Sequence, residues 1–305
     1  MSAAFAGAGP GRAASAGTGP RSALPAAVGA SGAMPAPMDG PAGAAPGSEE
    51  ILRLEGLTVA FGGLKAVSGV DLSLGAHDLV GLIGPNGAGK TTVFNAITGV
   101  HPPTSGRILL CGRSLHGASP HEIARRGVAR TFQNIRLFGN LSVLDNVRIA
   151  CHLGASAGVL PAILKLGASA REETAILERA RSMLALMDLE RFEAVRSAML
   201  PYGWQRRLEI ARALATGPKL LLLDEPAAGM NPQETEDLMA LIRRIRDEFH
   251  LCVLLVEHDM RVVMGICERV AVLDYGVKIA EGAPAEIQKN ERVIEAYLGT
   301  AAVST

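Results

Sequence analysis

GPNGAGKTT, residues 84–92, follows directly on the mostly apolar run DLVGLI at 78–83. It satisfies the P-loop pattern of Gly, four residues, Gly, Lys and then Ser or Thr. Gly84, Gly87 and Gly89 let the backbone turn tightly enough for its N–H groups to wrap a phosphate, with Pro85, Asn86 and Ala88 completing the loop. Lys90 opens a helix whose positive N-terminal end adds to the attraction. The pattern puts Lys90 at the β- and γ-phosphates of a nucleotide, offers the Thr91 hydroxyl to Mg2+, and sets Thr92 beside it. Val93, Phe94 and Ile97 then turn one helical face toward a core, and Gly99 and Pro102 close the helix. A strand, a loop and a helix follow from this stretch alone. Whether the nucleotide is hydrolysed or its phosphate handed on does not.

Working outward, the 305 residues are enough for one large domain or two small ones. The first 48 stand apart, because 33 of them are Ala, Gly or Pro and only Arg12, Arg21 and Asp39 are charged. Such a stretch buries too little apolar area to offset the entropy of ordering, so residues 1–48 are expected to form a disordered tail. It has neither the apolar block of a secretory signal nor an amphipathic period, and Met34 and Met38 are alternative starts. Lys plus Arg and Asp plus Glu number 30 each, which gives no whole-chain electrostatic case for nucleic acid or an anionic membrane surface. Cys111, Cys151, Cys252 and Cys267 lack metal-like pairing, which suits a reducing cytosol. No apolar run approaches the roughly 18 residues that span a bilayer. A membrane role is therefore expected only through a partner.

From 51 to 74 apolar residues alternate in short bursts broken by glycines, which predicts hairpin-like β structure. GRILLCG at 106–112 reads as a further strand, 121–126 as a short helix and 127–132 as a strand ending at Gln133. From 142 to about 189 the period turns helical, with a Gly/Ala-rich interruption near 154–167. Helical spacing resumes over 205–215 and stops at Gly217 and Pro218. LLLL at 220–223 suits a parallel strand buried on both faces. Asn231, Pro232 and Glu234 supply a cap, a first-turn proline and a third-position acid for the next helix. Residues 251–256 form another buried strand, 270–280 a hairpin turning at Tyr275 and Gly276, and 284–298 a helix. Strands alternating with helices after a P-loop predict a mainly parallel α/β sheet with one nucleotide-binding module.

Asp224 and Glu225 end the 220–223 run, at the crevice where open α/β sheets bind ligands. There Asp224 would hold Mg2+, directly or through water, and Glu225 would orient and deprotonate the attacking water. His258 ends the next strand within reach of a γ-phosphate. Gln133 is placed to sense Mg2+ or that water, and Phe61 to stack on adenine. Each of the last three has a plain structural reading when taken alone. Their joint order gives them weight.

That order, Phe61, GPNGAGKTT, Gln133, residues 200–205, LLLLDEP, the 228–231 turn and His258, resembles the ATP-binding subunit of ABC transporters over about residues 50–300. FGGLKAV at 61–67, RTFQN at 130–134, QRRLEIARAL at 205–214, DEPAAGMNP at 224–232, VEHDM at 256–260 and AYLG at 296–299 look most like the larger ATPase subunit of branched-chain amino acid importers. The resemblance implies an ABC-type P-loop NTPase over 49–300, with an antiparallel β subdomain and an inserted helical lobe at about 140–216, followed by a short tail at 301–305. It implies ATP and Mg2+ as cofactors, Glu225, His258 and Gln133 in catalysis, and Thr91, Gln133 and Asp224 toward the metal. Two such subunits would meet head to tail, so that Leu200, Pro201, Tyr202, Gly203, Trp204 and Gln205, the signature segment, complete the partner's ATP site. The implied partners are two membrane permease subunits, a second ATPase that is the same or a different chain, and indirectly an extracytoplasmic solute-binding protein. No nucleic acid is implied. The implied location is the inner face of the cell membrane. The signature segment departs from the family's Leu, Ser, Gly, Gly, Gln: Pro201 lacks a hydroxyl and an N–H, and Trp204 replaces a glutamine. If the partner is a different ATPase, the expectation is slower hydrolysis at the site this segment completes than at the site holding this chain's own P-loop. Urea, amides or another small solute is an alternative cargo. A small-molecule kinase would not need the signature helix or the DEPAAGMNP segment. A non-transport ABC ATPase acting on nucleic acid or ribosomes is the other alternative, but such proteins usually carry two fused modules, long coiled coils or basic arms, and none is visible in this sequence.

Overall fold

The computed structural model describes residues 49–154 and 168–301. The tail at 1–48, the end at 302–305 and the Gly/Ala-rich interruption at 155–167 lie outside the described residues. Strand β1 (Glu50–Phe61) folds back as β2 (Leu64–Gly75) through Gly62 and Gly63, whose φ angles of 52° and 94° only glycine adopts freely. Next come β3 (Leu79–Ile83), the loop at 84–89, and α1 (Lys90–Ile97). β4 (Ser105–Leu110) and β5 (Arg113–Ser114) extend the first hairpin into an antiparallel sheet of order β2-β1-β4-β5. Helix α2 (Pro120–Arg125) starts in a capping box between Ser119 and Glu122, and leads to β6 (Val128–Arg130). Among the described residues, three helices follow, α3 (Val143–Gly154), α4 (Ala168–Leu186) and α5 (Tyr202–Ala215), with short 3₁₀ turns at Glu190–Phe192 and Ser197–Met199 between the last two. The chain returns to the sheet as β7 (Leu220–Asp224), then runs through α6 (Pro232–Phe249), β8 (Cys252–Val256), α7 (Met260–Ile266), β9 (Arg269–Asp274), β10 (Val277–Gly282), α8 (Pro284–Ile287) and α9 (Glu291–Ala301).

The second sheet has the order β10-β9-β3-β8-β7-β6, parallel throughout except for the edge strand β10. Its strands are apolar without alternation because both faces are covered. Leu221, Leu223, Val253 and Leu255 face one core with α3, α5 and α6, whereas Leu220, Leu222, Leu254 and Val256 face another with α1 and the antiparallel sheet. The register then sets the site. Leu82 pairs with Val256, Val256 with Asp224, and Leu222 with Arg130, so β3, β8, β7 and β6 all end on one rim. Gly84, Glu257, Glu225 and Thr131 step off that rim side by side.

Three boundaries differ from the sequence reading. Helix α5 begins at Tyr202 and not at Gln205, because the Pro201 carbonyl already accepts the N–H groups of Trp204 and Gln205 at 3.0 Å. Its first turn carries a single inward-packing apolar residue, Trp204, too little for periodicity to reveal it. The reading of 284–298 as one helix gives way to two, since the Asn290 side chain and carbonyl accept the N–H groups of Val293 and Ile294 and start a second helix. β6 ends at Arg130 because, one bond after Thr131 N–H reaches Leu222 O, the Phe132 N–H turns to the Glu209 carboxylate.

Candidate functional site

The loop at 84–89 is shaped by contacts that exclude side chains. A Cβ on Gly84 would sit 2.1 Å from the Leu273 carbonyl oxygen, and one on Gly89 would sit 2.5 Å from that of Ala66. The loop is therefore pressed against β9 and β2, and its turn is closed by the Ala88 N–H, which donates to Pro85 O at 3.1 Å. Gly89 caps α1 in a left-handed conformation with no side-chain acceptor and no acid in the first turn. The first N–H groups of the helix are thus left for an external anion. Lys90 Nζ donates to the carbonyls of Gly84 at 2.6 Å and Pro85 at 2.9 Å, both in its own loop. Burial lowers its pKa from the ordinary lysine value, while Glu225 and Asp224 nearby pull it upward. A desolvated ammonium ringed by backbone dipoles fits a polyphosphate. Phe61, at the rim, leaves 46% of its surface exposed and meets the His101 ring edge-on at 5.2 Å. That leaves a flat face open to stacking.

Glu225 sits where the chain turns off β7, at φ 47°, a left-handed conformation that a glutamate adopts at a cost. Its N–H is held by Val256 O at 2.9 Å. Gln133 Nε2 donates to Glu225 Oε2 at 3.1 Å, and His258 Nδ1 lies 3.7 Å from the same oxygen. The three side chains assigned to catalysis therefore converge on one carboxylate oxygen. The neighbouring Asp224 is buried and bonded by Arg130 Nη2 at 2.7 Å, while Arg130 Nη1 donates to Asn95 Oδ1 at 2.7 Å. Arg130 appeared in the sequence only as part of RTFQN, with no role. Its contact crosses 94 residues of chain, and no spacing rule could find it. Glu257, also unassigned, is buried and accepts Ala227 N–H at 2.9 Å and His258 N–H at 3.2 Å, fixing the strand end that presents His258. Burial pushes its carboxyl above the ordinary range, with those two N–H groups pulling the other way.

Among the described residues no three His, Cys, Asp or Glu side chains cluster as a metal cage. The donors expected here, Thr91, Gln133 and Asp224, are too few for a closed site. That matches Mg2+, which keeps several waters and takes its remaining ligands from phosphates.

In the signature segment Leu200 is buried, Gln205 Nε2 donates to Leu200 O at 2.8 Å, and Gly203 lies beside Glu234. Tyr202 lies against Gly229 of the 228–231 turn. Trp204 does not project outward: its ring meets Phe192 at 5.3 Å and lies between the guanidinium groups of Arg191 and Arg207, 4.8 and 4.9 Å from its centre. Where a glutamine would offer donors, this chain has a packed indole.

The ABC transporter family pattern matches residues 67–228, and that of the branched-chain amino acid ATP-binding cassette transporter matches 277–303. The chain is 48% identical to the high-affinity branched-chain amino acid transport ATP-binding protein BraF of Pseudomonas aeruginosa, over 83% of this chain and 100% of that protein. It is 47% identical, over the same shares, to LivG of Salmonella typhimurium, a protein of the same description. The lipopolysaccharide export ATP-binding protein LptB of Escherichia coli is 36% identical, over 81% and 97%. Among solved structures, a nucleotide-free ATP-binding cassette from an ABC transporter superposes with a TM-score of 0.71 at 28% identity, covering 81% of this chain and 98% of that one. A dimeric post-hydrolysis cassette bound to ADP and Pi gives 0.64 at 26%, covering 77% and 99%.

Proposed function

The chain belongs to the ATP-binding cassette family of ABC transporters, and from that premise we propose that it powers import of branched-chain, hydrophobic amino acids through separate permease subunits. It is an ATPase. The convergence of Gln133, His258 and Glu225 on one oxygen beside a buried Lys90 carries the reading of the chemistry. Lys90 and the uncapped start of α1 bind the phosphates, and Phe61 stacks on the base. Asp224, Thr91 and Gln133 would hold Mg2+, which when bound spreads the charge that develops on the phosphates. Glu225 takes a proton from the attacking water, while Gln133 and His258 keep its carboxylate aimed.

The cargo reading rests on relatives at 46–48% identity over their full length that carry branched-chain amino acid transport in their descriptions. No helix among the described residues is long and apolar enough to cross a membrane; in this reading the permease subunits supply the path for the solute. A groove of about 730 Å³, lined by Phe132, Arg136, Phe138, Ile149 and Arg212 among others, supports a docking place for them. It begins one residue from Gln133. Stacking of Phe132 between Arg130 and Arg136, at 5.1 and 4.2 Å, gives it a rigid link to the carboxylates. A second ATPase, of the same or a different chain, would pair head to tail with this one at the inner face of the membrane, and an extracytoplasmic binding protein would supply the solute.

Affinity capture of the tagged chain from gently solubilised native membranes, followed by mass spectrometry, tests this. Two multi-span permeases with a second ATPase are the expected companions, and uptake of labelled leucine set against urea then assigns the cargo. Ribosomal proteins in place of permeases would overturn the transporter reading.

A further inference from the structure

One buried ion pair belongs to neither the phosphate loop nor the acidic strand end. Arg206, on the second turn of α5, is 0% exposed, and its Nη1 donates to Glu209 Oε2 at 2.7 Å. The rest of the guanidinium grips the loop that carries Gln133. Nη1 donates to Phe132 O at 2.7 Å and Nη2 to Gln133 O at 3.1 Å, with Glu225 O and Tyr202 Oη both at 3.4 Å from Nη2. Glu209 Oε1 completes the grip by accepting Phe132 N–H at 3.2 Å. Both backbone groups of Phe132 and the carbonyl of Gln133 are thus bonded to one side-chain pair on the signature helix.

Its placement is unusual for a device of stability alone. Replacing a buried ion pair by well-packed apolar groups is often neutral or stabilising, so burial by itself does not explain it. What a planar, forked guanidinium adds is direction: it bonds several acceptors in one fixed geometry. The acceptors here are the carbonyls of Gln133 and Glu225, whose side chains bond each other at 3.1 Å. At the start of the same helix stand Tyr202 and Gly203, which in the pairing proposed above would meet the partner's ATP.

We propose that the Arg206–Glu209 pair joins the signature segment to the Gln133–Glu225 pair as one mechanical unit, so that the ATP site this chain hydrolyses and the ATP site it completes for its partner close together. The inference rests on the head-to-tail pairing proposed above. Arg206 and Glu209 touch no nucleotide and are positioning residues. When the signature segment engages the partner's nucleotide, the shift of α5 carries the Phe132–Gln133 backbone with it and sets Gln133 against Glu225. Coupling of this kind is a bias on one two-state element exerted from two sites.

The test compares the assembled wild-type complex with one carrying Arg206→Met and Glu209→Gln together, which removes both buried charges at once. Three quantities are read: the thermal midpoint, the affinity for a non-hydrolysable ATP analogue, and the ATP dependence of hydrolysis. The expected result is analogue affinity at a single subunit within about threefold of wild type, turnover lower by on the order of tenfold to a hundredfold, and a Hill coefficient reduced to one. Should the double variant not fold, Arg206→Lys keeps the charge opposite Glu209 but loses the second arm to Gln133 O, and the same loss of cooperativity is expected. Either folded variant with wild-type turnover and Hill coefficient overturns the proposal, as does a parallel fall in midpoint, affinity and turnover with cooperativity kept. A wild-type complex that neither pairs with ATP nor hydrolyses it cooperatively would overturn the pairing itself, and this proposal with it.

Discussion

Arg130 shows how much of the site is decided by single contacts. Its side chain is 7% exposed, ion-paired to Asp224, bonded to Asn95 at the end of the phosphate-loop helix, and flanked by the rings of Phe94 and Phe132. Arg130→Met leaves the Asp224 carboxylate buried and unpaired, so unfolding stability should fall by about 3 kcal/mol or more. The Mg2+ concentration for half-maximal hydrolysis should rise as well, because the carboxylate loses its orientation. A denaturant titration and a Mg2+ titration check the two effects separately; an unchanged pair of curves would remove Arg130 from both roles. Lys90 gives a pH prediction. Phosphate binding needs its ammonium form, and burial lowers the pKa in the free protein. Affinity should hold constant at low pH and begin to fall, as pH rises, below the ordinary lysine range. Folding runs the other way: the native state releases the proton first, so this group's unfavourable contribution to stability diminishes as pH rises through the lowered pKa. Nucleotide binding followed by calorimetry between neutral and alkaline pH reads the first effect. Lys90→Ala should abolish that pH step together with most of the affinity. Lys90 was legible in the sequence because its spacing within the loop is fixed by covalent neighbours. Arg130, Arg206 and Glu209 were not, because their roles depend on contacts between segments 73 to 94 residues apart.

At the level of elements, legibility follows the same division. The start of α6 could be read directly, since Asn231 and Glu234 bond reciprocally within four consecutive residues, whereas the equivalent Ser119–Glu122 pair starts α2 at Pro120, one residue before the sequence reading placed it. Asn231→Ala should therefore cost about 1 kcal/mol, seen as a lower unfolding midpoint, with the DEPAAGMNP turn loosened before the helix. The buried strands were legible from LLLL and CVLLV, whose lack of alternation already required cover on both faces. The start of α5 was hidden, because its first turn has only Trp204 packed inward and so no apolar stripe to count. Its cap is Pro201, with no side-chain acceptor for the first N–H groups. Pro201→Ser supplies one, and should stabilise the helix by about 0.5 to 1 kcal/mol. It also restores a hydroxyl facing the partner's phosphate, so turnover at the site completed by this segment should rise. Trp204 is best left in place, since its ring is held by Phe192, Arg191 and Arg207 and its loss would confound the reading. Greater stability with unchanged turnover would mean that the helix N-terminus and Gly203 already suffice.

In the molecule as a whole, the two sheets and their separate cores bring four strand ends to one rim, where Glu225, Gln133 and His258 converge beside Lys90. In the head-to-tail pairing proposed above this rim is half a site, and the carboxylate of Glu225 is the group whose loss should separate binding from turnover. Glu225→Gln keeps the shape and the bond to Gln133, and removes the base that takes the proton from water. Turnover should fall by about a hundredfold or more. Nucleotide affinity should remain, because Lys90, the loop N–H groups and Phe61 are untouched. If closure follows ATP binding and opening follows hydrolysis, the variant should accumulate as a pair in sedimentation with ATP and Mg2+, while the wild type returns to single subunits as ATP is consumed. Adding Lys90→Ala to the same chain should abolish the pair, since closure without a bound phosphate has no anion to close on. A Glu225→Gln chain that hydrolyses at the wild-type rate would take the base role away from Glu225. One that binds ATP, fails to hydrolyse it and still does not pair would leave the chemistry standing and break the link between ATP and closure.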